Sequence, residues 1–373
     1  MTMLIQYNCR YFRGDVPCRP HKTDGVHCEG CPYYSPVQER ILIIKLDAMG
    51  DVLRTTCLLP GLKEKYPHSQ ITWITRAESA PLLEGIPFLD RVFPLEDSAH
   101  VTATDEFDIV INLDAAPLSA RLATLARGKE KRGYGYHPRG YVYSLHPEAE
   151  QWFFMGLFDD VKKTNKETYQ SLMLNICGLS PTDHSIQYSV KASEKDFAAH
   201  FAAMHSIGEK DLVVGLNTGA GARWDKKKWT ENGYRELIGL IKNKYRHARI
   251  LLYGGPGEIE RNKRLFSENQ DIVIDTGGSN TIRQFAALLD LSTLVVTGDT
   301  LALHLAAALR KKVIALVGPT SSAELDLYGK GIKITADLPC LCCYNATCGT
   351  TPDCMDSISP ASVFAALEEL LDR

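Results

Sequence analysis

Apolar residues in the first half of the chain form short β-branched runs, each followed by a turn and a stretch with helical spacing. Runs that are apolar on both faces are typical of strands buried in a parallel sheet, so we predict strands at residues 40–46, 70–75 and 108–113. Helical spacing predicts helices at 52–66 and 118–126, and Pro60 is expected to kink or interrupt the first of them. The alternation indicates an open parallel sheet with helices on both faces.

The same alternation restarts after a turn-rich stretch near residues 180–195, with a charged helix near 193–205. The second series predicts strands at 212–217, 249–253, 271–274, 293–297 and 312–317, with helices at 230–245, 258–269, 281–289, 301–309 and 360–371. We therefore divide the chain into a Cys-rich N-terminal arm (1–38), a Rossmann-like domain (39–185), a second Rossmann-like domain (186–358) containing a Cys-rich segment (340–354), and a C-terminal helix (359–373).

The composition and charge of the chain argue against some classes of protein. A chain of 373 residues with 45% hydrophobic and 23% charged residues is typical of a globular protein, and its length favours two domains. A net charge of −3 argues against a protein that coats nucleic acid. The sequence shows no signal peptide and no apolar run long enough for a transmembrane helix, so we expect a cytoplasmic protein. Peripheral contact with the inner face of the membrane remains compatible with this expectation.

The turn after the first predicted strand carries the first candidate chemistry. In a parallel α/β sheet, ligands bind beyond the carboxyl ends of the strands. Here the strand is followed by Gly50 and Asp51, at the point where the next helix begins. Asp51 fits two interpretations, a helix N-cap or a carboxylate that accepts a proton from a substrate hydroxyl.

The second half contains two Gly-rich turns after strands. Thr218 and Gly219 open a turn followed by a run of lysines that includes Lys227, which fits either phosphate binding or a solvated basic run. It is neither a dinucleotide fingerprint nor a P-loop. Glu258 follows Gly254 and Gly255 and fits either a ribose contact or an acidic first helical turn.

A third turn in the second half follows the strand predicted at 293–297. Asp299 and Thr300 offer a carboxylate and a hydroxyl for a sugar and a phosphate. His304 lies four residues further on and is either a site residue or a core histidine.

Together, these turns resemble the bacterial heptosyltransferase family, glycosyltransferase family nine. Lys45 to Val52 matches its first turn, Lys227-Lys228-Trp229 its Lys-x-Trp motif, and Asp299 to Ala308 its Asp-Thr-Gly-x-x-His motif ahead of a Gly-Pro-Thr turn. The resemblance covers roughly residues 40–370. It implies a GT-B fold, with the acceptor on the N-terminal domain, a nucleotide sugar on the C-terminal domain, a cleft between them, and inversion at the anomeric carbon.

The resemblance also implies roles for individual residues. Asp51 matches the catalytic base, with Asp47 and Arg54 on the acceptor side. The donor side comprises Thr218, Gly219, Lys227, Glu258, Asp299, Thr300 and His304. Two positions depart from the family pattern. Leu301 replaces a glycine, and Asp47 replaces a small or uncharged residue. Three alternatives fit Asp47: it raises the pKa of Asp51, it aids the base, or it contacts the acceptor.

Two clusters contain nine of the eleven cysteines. Four thiolates suffice for a closed tetrahedral site, so we predict a structural metal, with zinc ahead of iron or an iron–sulfur cluster. The predicted ligands are Cys9, Cys18, Cys28 and Cys31 in the arm, and Cys340, Cys343, Cys348 and Cys354 near the C-terminus. Unliganded thiols and redox roles remain alternatives. Catalysis itself is expected to need no cofactor.

The main hypothesis is therefore an enzyme that transfers a sugar, with ADP-heptose as the first donor candidate, to a glycan or protein hydroxyl. Its first alternative is a nucleotide-sugar epimerase, which would turn over the donor without an acceptor. The second is a non-catalytic metal-binding sensor built on the same scaffold. Basic and aromatic residues at 127–143 fit either contact with an anionic acceptor or a solvated loop.

Overall fold

Six strands of the first half form one sheet in the computed structural model, which describes residues 3–221, 225–345 and 347–373. The strands are β1 (Arg40–Ile44), β2 (Gln70–Thr75), β3 (Arg91–Pro94), β4 (Glu106–Asn112), β5 (Arg127–His137) and β6 (Tyr141–Ser144). Their order is β3-β2-β1-β4-β5-β6, and every pair is parallel except the antiparallel β5–β6 hairpin. The order reverses between β1 and β4, which is where an open parallel sheet forms its binding crevice.

The helices of the first half connect these strands and cover the sheet. They are α1 (Arg19–Asp24), α2 (Met49–Thr55), α3 (Leu58–Lys65), α4 (Ala80–Leu83), α5 (Ser98–Thr104), α6 (Pro117–Leu125), α7 (Glu150–Leu157), α8 (Asp159–Thr164) and α9 (Tyr169–Cys177). The helix α1 lies in the Cys-rich arm, which is attached to the first sheet by an ion pair between Arg10 and Asp90.

The second half repeats this architecture with an entirely parallel sheet. Its elements are α10 (Ala192–Met204), β7 (Val213–Asn217), α11 (Glu231–Lys244), β8 (Arg249–Tyr253), α12 (Ile259–Glu268), β9 (Val273–Asp275), α13 (Ile282–Asp290), β10 (Leu294–Gly298), α14 (Leu301–Ala308), β11 (Lys312–Val317), β12 (Gly331–Thr335) and α15 (Pro360–Asp372). The strand order is β12-β11-β10-β7-β8-β9, so the second switch point lies between β7 and β10.

The predicted helix at 52–66 is two helices, α2 and α3, separated at Thr56 and Cys57. Pro60 is the third residue of α3, where a helical amide has no partner within the helix. The proline therefore lies in the first turn of a new helix and does not interrupt an old one. The expected solvated loop at 127–143 is also wrong, because these residues form the β5–β6 hairpin.

Several elements could not be predicted because their sequences lack an apolar period. The strand β5 begins Arg-Gly-Lys-Glu-Lys-Arg, and only Gly133, Tyr134 and Gly135 within it are buried. The predicted strand at 271–274 is displaced to Val273–Asp275.

Among the described residues, no helix is long and apolar enough to cross a membrane. The limits proposed above for the domains remain a prediction.

One hydrophobic cluster joins the two halves. Leu53 of α2 and Leu82 of α4 are buried with Leu303 of α14 and with Val295 and Val317 of the second sheet. The helices α2 and α14, each of which follows a strand beside a switch point, therefore pack against each other. This packing brings the two crevices to a common cleft.

Candidate active site

Asp51 lies in the first turn of α2, directly after β1. It is the third residue of the helix, and Ala48 occupies the N-cap position without a side-chain cap. One carboxylate oxygen, Oδ1, lies 2.6 Å from Nη2 of Arg54, one turn further along α2. The Asp51 side chain keeps 23% of its surface exposed, so a substrate can reach it. The N-cap interpretation of Asp51 is therefore wrong.

Charges around Asp51 keep it ionised. Burial by itself would raise the pKa of its carboxyl, but the positive charges of Arg54 and Lys45 outweigh this effect and lower the pKa below its usual range. The pKa of Asp51 is thus lowered, contrary to the first of the three alternatives for Asp47. Asp47 is exposed, and its carboxylate accepts a hydrogen bond from the amide of Ala48.

Arg54 is buried between the two halves of the protein. Its guanidinium carbon lies 3.7 Å from the centre of the Tyr169 ring at the start of α9. The Tyr169 hydroxyl lies 2.6 Å from the hydroxyl of Thr55, which fixes the ring. This cation–π contact holds the guanidinium beside Asp51.

Gly50 allows α2 to approach α14. A Cβ atom at this position would lie 3.0 Å from Cδ2 of His304, tighter than ordinary contact. His304 is buried, and burial together with the charge of Arg54 lowers its pKa to about 4. The imidazole is therefore neutral at pH 7. The glycine therefore allows a close approach that a Cβ atom would permit only if His304 moved by a few tenths of an ångström.

Lys227 and Asp299 form an ion pair on the second half of the cleft. Nζ of Lys227 lies 2.7 Å from Oδ2 of Asp299, and the hydroxyl of Thr320 donates a 2.8 Å hydrogen bond to the same oxygen. Burial opposes ionisation of Asp299, but Lys227 prevails and lowers its pKa to about 2. The ion pair links the turn after β7 to the turn after β10 at the second switch point.

The turn after β7 is held by Thr218 and by the carboxylate of Glu258. The Thr218 side chain is fully buried and donates to the side-chain oxygen of Asn262, so its hydroxyl is committed to the fold. A Cβ atom on Gly219 would lie 2.8 Å from Oε2 of Glu258, which explains the glycine. Glu258 accepts from the amide of Gly255 and pairs with Lys228. Residues 222–224 of the predicted turn lie outside the described residues.

Two buried nitrogen atoms at the cleft lack hydrogen-bond partners within the described part of the chain. They are Nε of Arg54 and Nδ1 of His304. Thr300, the N-cap of α14, likewise makes no side-chain cap bond, and its hydroxyl contacts Thr297 and Asn217. Buried polar groups are normally hydrogen-bonded, so these two nitrogens can bond to a water molecule or a ligand.

Three residues of this cleft were not singled out from the sequence. Tyr169 lies on α9, Thr320 is the threonine of the Gly-Pro-Thr turn, and Glu324 lies four residues beyond Thr320. The charges of Glu324, Asp299 and Asp51 all act on Arg54. Thr320 could have been identified from the sequence, because Gly-Pro-Thr was recognised as a motif. Tyr169 and Glu324 carry no sequence signal, since only the tertiary fold brings them to the cleft.

The cysteines are all free thiols. Cys28 and Cys31 form a tight turn in which the amide of Cys31 donates to the carbonyl of Cys28. However, no group of three or more His, Cys, Asp or Glu side chains within residues 3–221, 225–345 and 347–373 is arranged to hold a metal ion. The two predicted ligand sets are therefore not assembled as closed tetrahedral sites.

Comparisons with known proteins find similarity to one family of glycosyltransferases. The family model described as glycosyltransferase family 9 (heptosyltransferase) matches residues 102–352. Lipopolysaccharide heptosyltransferase 1 of Salmonella typhimurium is 30% identical over 313 residues, which cover 78% of this chain and 92% of that protein.

Two solved structures show the same fold. A glycosyl transferase family 9 protein of Veillonella parvula superposes with a TM-score of 0.74 at 19% identity, covering 89% of this chain and 97% of that one. The ADP-heptose lps heptosyltransferase II of E. coli has a TM-score of 0.65 at 21% identity, covering 89% and 98%. The predicted two-domain GT-B fold is thus confirmed. The chain belongs to glycosyltransferase family 9, the heptosyltransferases.

Proposed function

We propose that the protein transfers heptose from ADP-heptose to a sugar hydroxyl of a lipopolysaccharide core, with inversion at the anomeric carbon. One observation carries the proposal most directly. The contact of Gly50 with His304 brings Asp51, at the first switch point, to the same cleft as Asp299, at the second. The named activities of the Salmonella and E. coli relatives support the choice of sugar and acceptor.

Asp51 acts as the general base. Its lowered pKa keeps it ionised at neutral pH, and its exposed fraction leaves an oxygen open to the acceptor. As the acceptor oxygen forms its bond to the anomeric carbon, the proton of the hydroxyl passes to Asp51. Positioned carboxylates of this kind contribute about 10²–10⁴-fold to rate.

The second half stabilises the departing ADP. The bond between the anomeric carbon and the diphosphate oxygen breaks with its electron pair going to the phosphate, so negative charge develops there. Lys227 lies beside Asp299, and the α14 N-terminus at Thr300 presents the positive end of a helix dipole. Asp299 holds Lys227 in place and accepts hydrogen bonds from the sugar, so no metal ion is required.

The test is a transfer assay with purified protein, ADP-heptose and lipopolysaccharide core acceptors that lack heptose. We expect release of ADP together with a mass increase of one heptose on the acceptor. A protein acceptor is the matched alternative substrate, and a mass increase there alone would refute the glycan assignment. Donor turnover without any acceptor would favour the epimerase, and donor binding without transfer to either acceptor would favour the non-catalytic scaffold.

We also propose that the N-terminal arm binds one structural metal ion, with zinc as the first candidate. The four thiols of the arm and the turn at Cys28 and Cys31 support this proposal. Because the described thiols are not drawn into a closed site, metal binding would require the arm to rearrange. Metal analysis of tag-free protein should show the content fall by about one equivalent in Cys28→Ser but not in Cys177→Ser, a buried thiol outside both clusters. Equal metal content in the two variants would refute the proposal.

A further inference from the structure

Glu324 is a buried carboxylate at the same cleft for which the proposed mechanism has no role. The residue is 8% exposed and lies between β11 and β12. Its backbone carbonyl accepts a 3.0 Å hydrogen bond from the amide of Tyr169, which joins it to the first half of the protein. The backbone of Glu324 is therefore anchored at the boundary between the two halves, to the residue whose ring supports Arg54.

The carboxylate of Glu324 is oriented by a residue of the Cys-rich segment. The hydroxyl of Tyr344 donates a 2.8 Å hydrogen bond to Oε1 of Glu324 and accepts one from the amide of Ser321. The amide of Tyr344 donates to the carbonyl of Pro319 at 2.8 Å. Tyr344 thus bridges the Gly-Pro-Thr turn and Glu324, so the carboxylate points in a fixed direction.

Glu324 differs from a structural carboxylate of equal burial. Glu194 is also 8% exposed, but it forms an ion pair with Arg283 and caps the start of α10. Among the described residues, no cation lies within salt-bridge distance of Glu324, and Tyr344 supplies its only side-chain hydrogen bond. Burial of a carboxylate with so few partners costs free energy, and the pKa of Glu324 is raised accordingly.

The neighbouring charges determine what can bind beside Glu324. The Gly-Pro-Thr turn reaches both carboxylates, because the hydroxyl of Thr320 donates to Asp299 and the amide of the next residue, Ser321, donates to the Tyr344 hydroxyl that orients Glu324. The negative charges of Asp299 and Asp51 raise the pKa of Glu324, whereas Arg54 acts in the opposite direction. An ionised carboxylate accepts hydrogen bonds but donates none, and it repels phosphate groups. Beside Glu324 and Asp299, hydrogen-bond donors of a ligand are therefore favoured over phosphate oxygens, and the hydroxyls of the donor sugar are such donors.

We propose that Glu324 is a second carboxylate of the donor sugar subsite, where it accepts hydrogen bonds from hydroxyls of the transferred sugar alongside Asp299. Tyr344 acts as a positioning residue through Glu324. This inference rests on the proposed function and adds a specificity determinant to it. It also gives the Cys-rich segment a role, since that segment carries the tyrosine that orients the carboxylate.

The experiment compares the affinity of the full-length protein for ADP and for ADP-heptose by calorimetry, without acceptor. Loss of a charge-assisted hydrogen bond weakens binding by about tenfold or more. Glu324→Gln should therefore raise the Kd for ADP-heptose about tenfold and change the Kd for ADP by less than about twofold. Glu194→Gln, the matched control, should leave both constants unchanged.

Tyr344→Phe provides an independent variant that keeps the carboxylate. We expect its Kd for ADP-heptose to rise about threefold to tenfold, and the double variant to match Glu324→Gln, because both changes act through one group. Equal weakening of ADP and ADP-heptose would show a merely structural role and overturn the inference. Unchanged ADP-heptose binding in Glu324→Gln would overturn it as well. Failure of the wild-type protein to bind ADP-heptose would instead refute the proposed donor.

Discussion

Replacement of Asp51 by asparagine removes the proposed base while preserving its size. The Asp51 carboxylate contacts the buried Arg54 at 2.6 Å, so the lost ion pair should cost about 1–3 kcal/mol of unfolding free energy. Arg54 keeps its stacking on Tyr169, so the cleft should retain its shape. By contrast, loss of a general base should lower kcat by about 10²–10⁴-fold.

The assay is steady-state transfer with ADP-heptose, accompanied by thermal denaturation and ADP binding to show that Asp51→Asn folds and retains its donor site. Asp47→Asn is the matched comparison, because this exposed carboxylate lies in the same turn and contacts only a backbone amide among the described residues. We expect it to change kcat by less than about threefold, since no base is lost. A folded Asp51→Asn protein with nearly normal kcat would refute the assignment of the base.

Three further predictions follow from the same geometry. Transfer requires the ionised form of Asp51, and Arg54 lowers the pKa of this carboxyl. Arg54→Met should therefore move the acidic limb of the pH profile of kcat/KM to higher pH. An unchanged pH profile would contradict the electrostatic argument. The pKa of Asp299 falls from 3.8 to about 2 on folding, so Asp299→Asn should lower the unfolding free energy by about 2 kcal/mol at pH 7. This difference should disappear as pH falls from 3.8 through 2, as urea denaturation would show, whereas a pH-independent difference would exclude this cause. Gly50→Val should displace His304 and lower kcat/KM by about tenfold or more, and Gly50→Ala should lower it less. Equal activity of the wild-type protein and both variants would refute the close approach.

Much of the architecture was predictable because a buried parallel strand must be apolar on both faces. The runs at β1, β8 and β11 therefore indicated their strands almost residue by residue. Conversely, β5 and β6 are rich in charged and aromatic residues, and α7 to α9 lack a clear apolar period. Their structure depends on packing against elements distant in sequence, which a local pattern does not express.

The residues of the site likewise divide into those that the sequence indicated and those that only the fold revealed. The turns after β1, β7 and β10 carried recognisable residues, because backbone geometry and ligand chemistry restrict what can stand at a strand end. From the sequence, Asp51 fitted a helix cap as readily as a base, and its position in the helix and its pairing with Arg54 excluded the cap.

The sequence by itself determined which turns hold chemistry, through glycine, carboxylate and lysine placed after apolar runs. Only the tertiary structure decided how those turns meet. Gly50 faces His304, Arg54 stacks on Tyr169, and Glu324 is oriented by Tyr344. Gly50 and His304 lie on different halves of the protein, Arg54 and Tyr169 are far apart along the chain, and Glu324 and Tyr344 belong to different segments of the second half. Their contacts arise when α2 packs against α14 and α9 and when the Cys-rich segment folds against the second half. Local spacing does not encode such contacts.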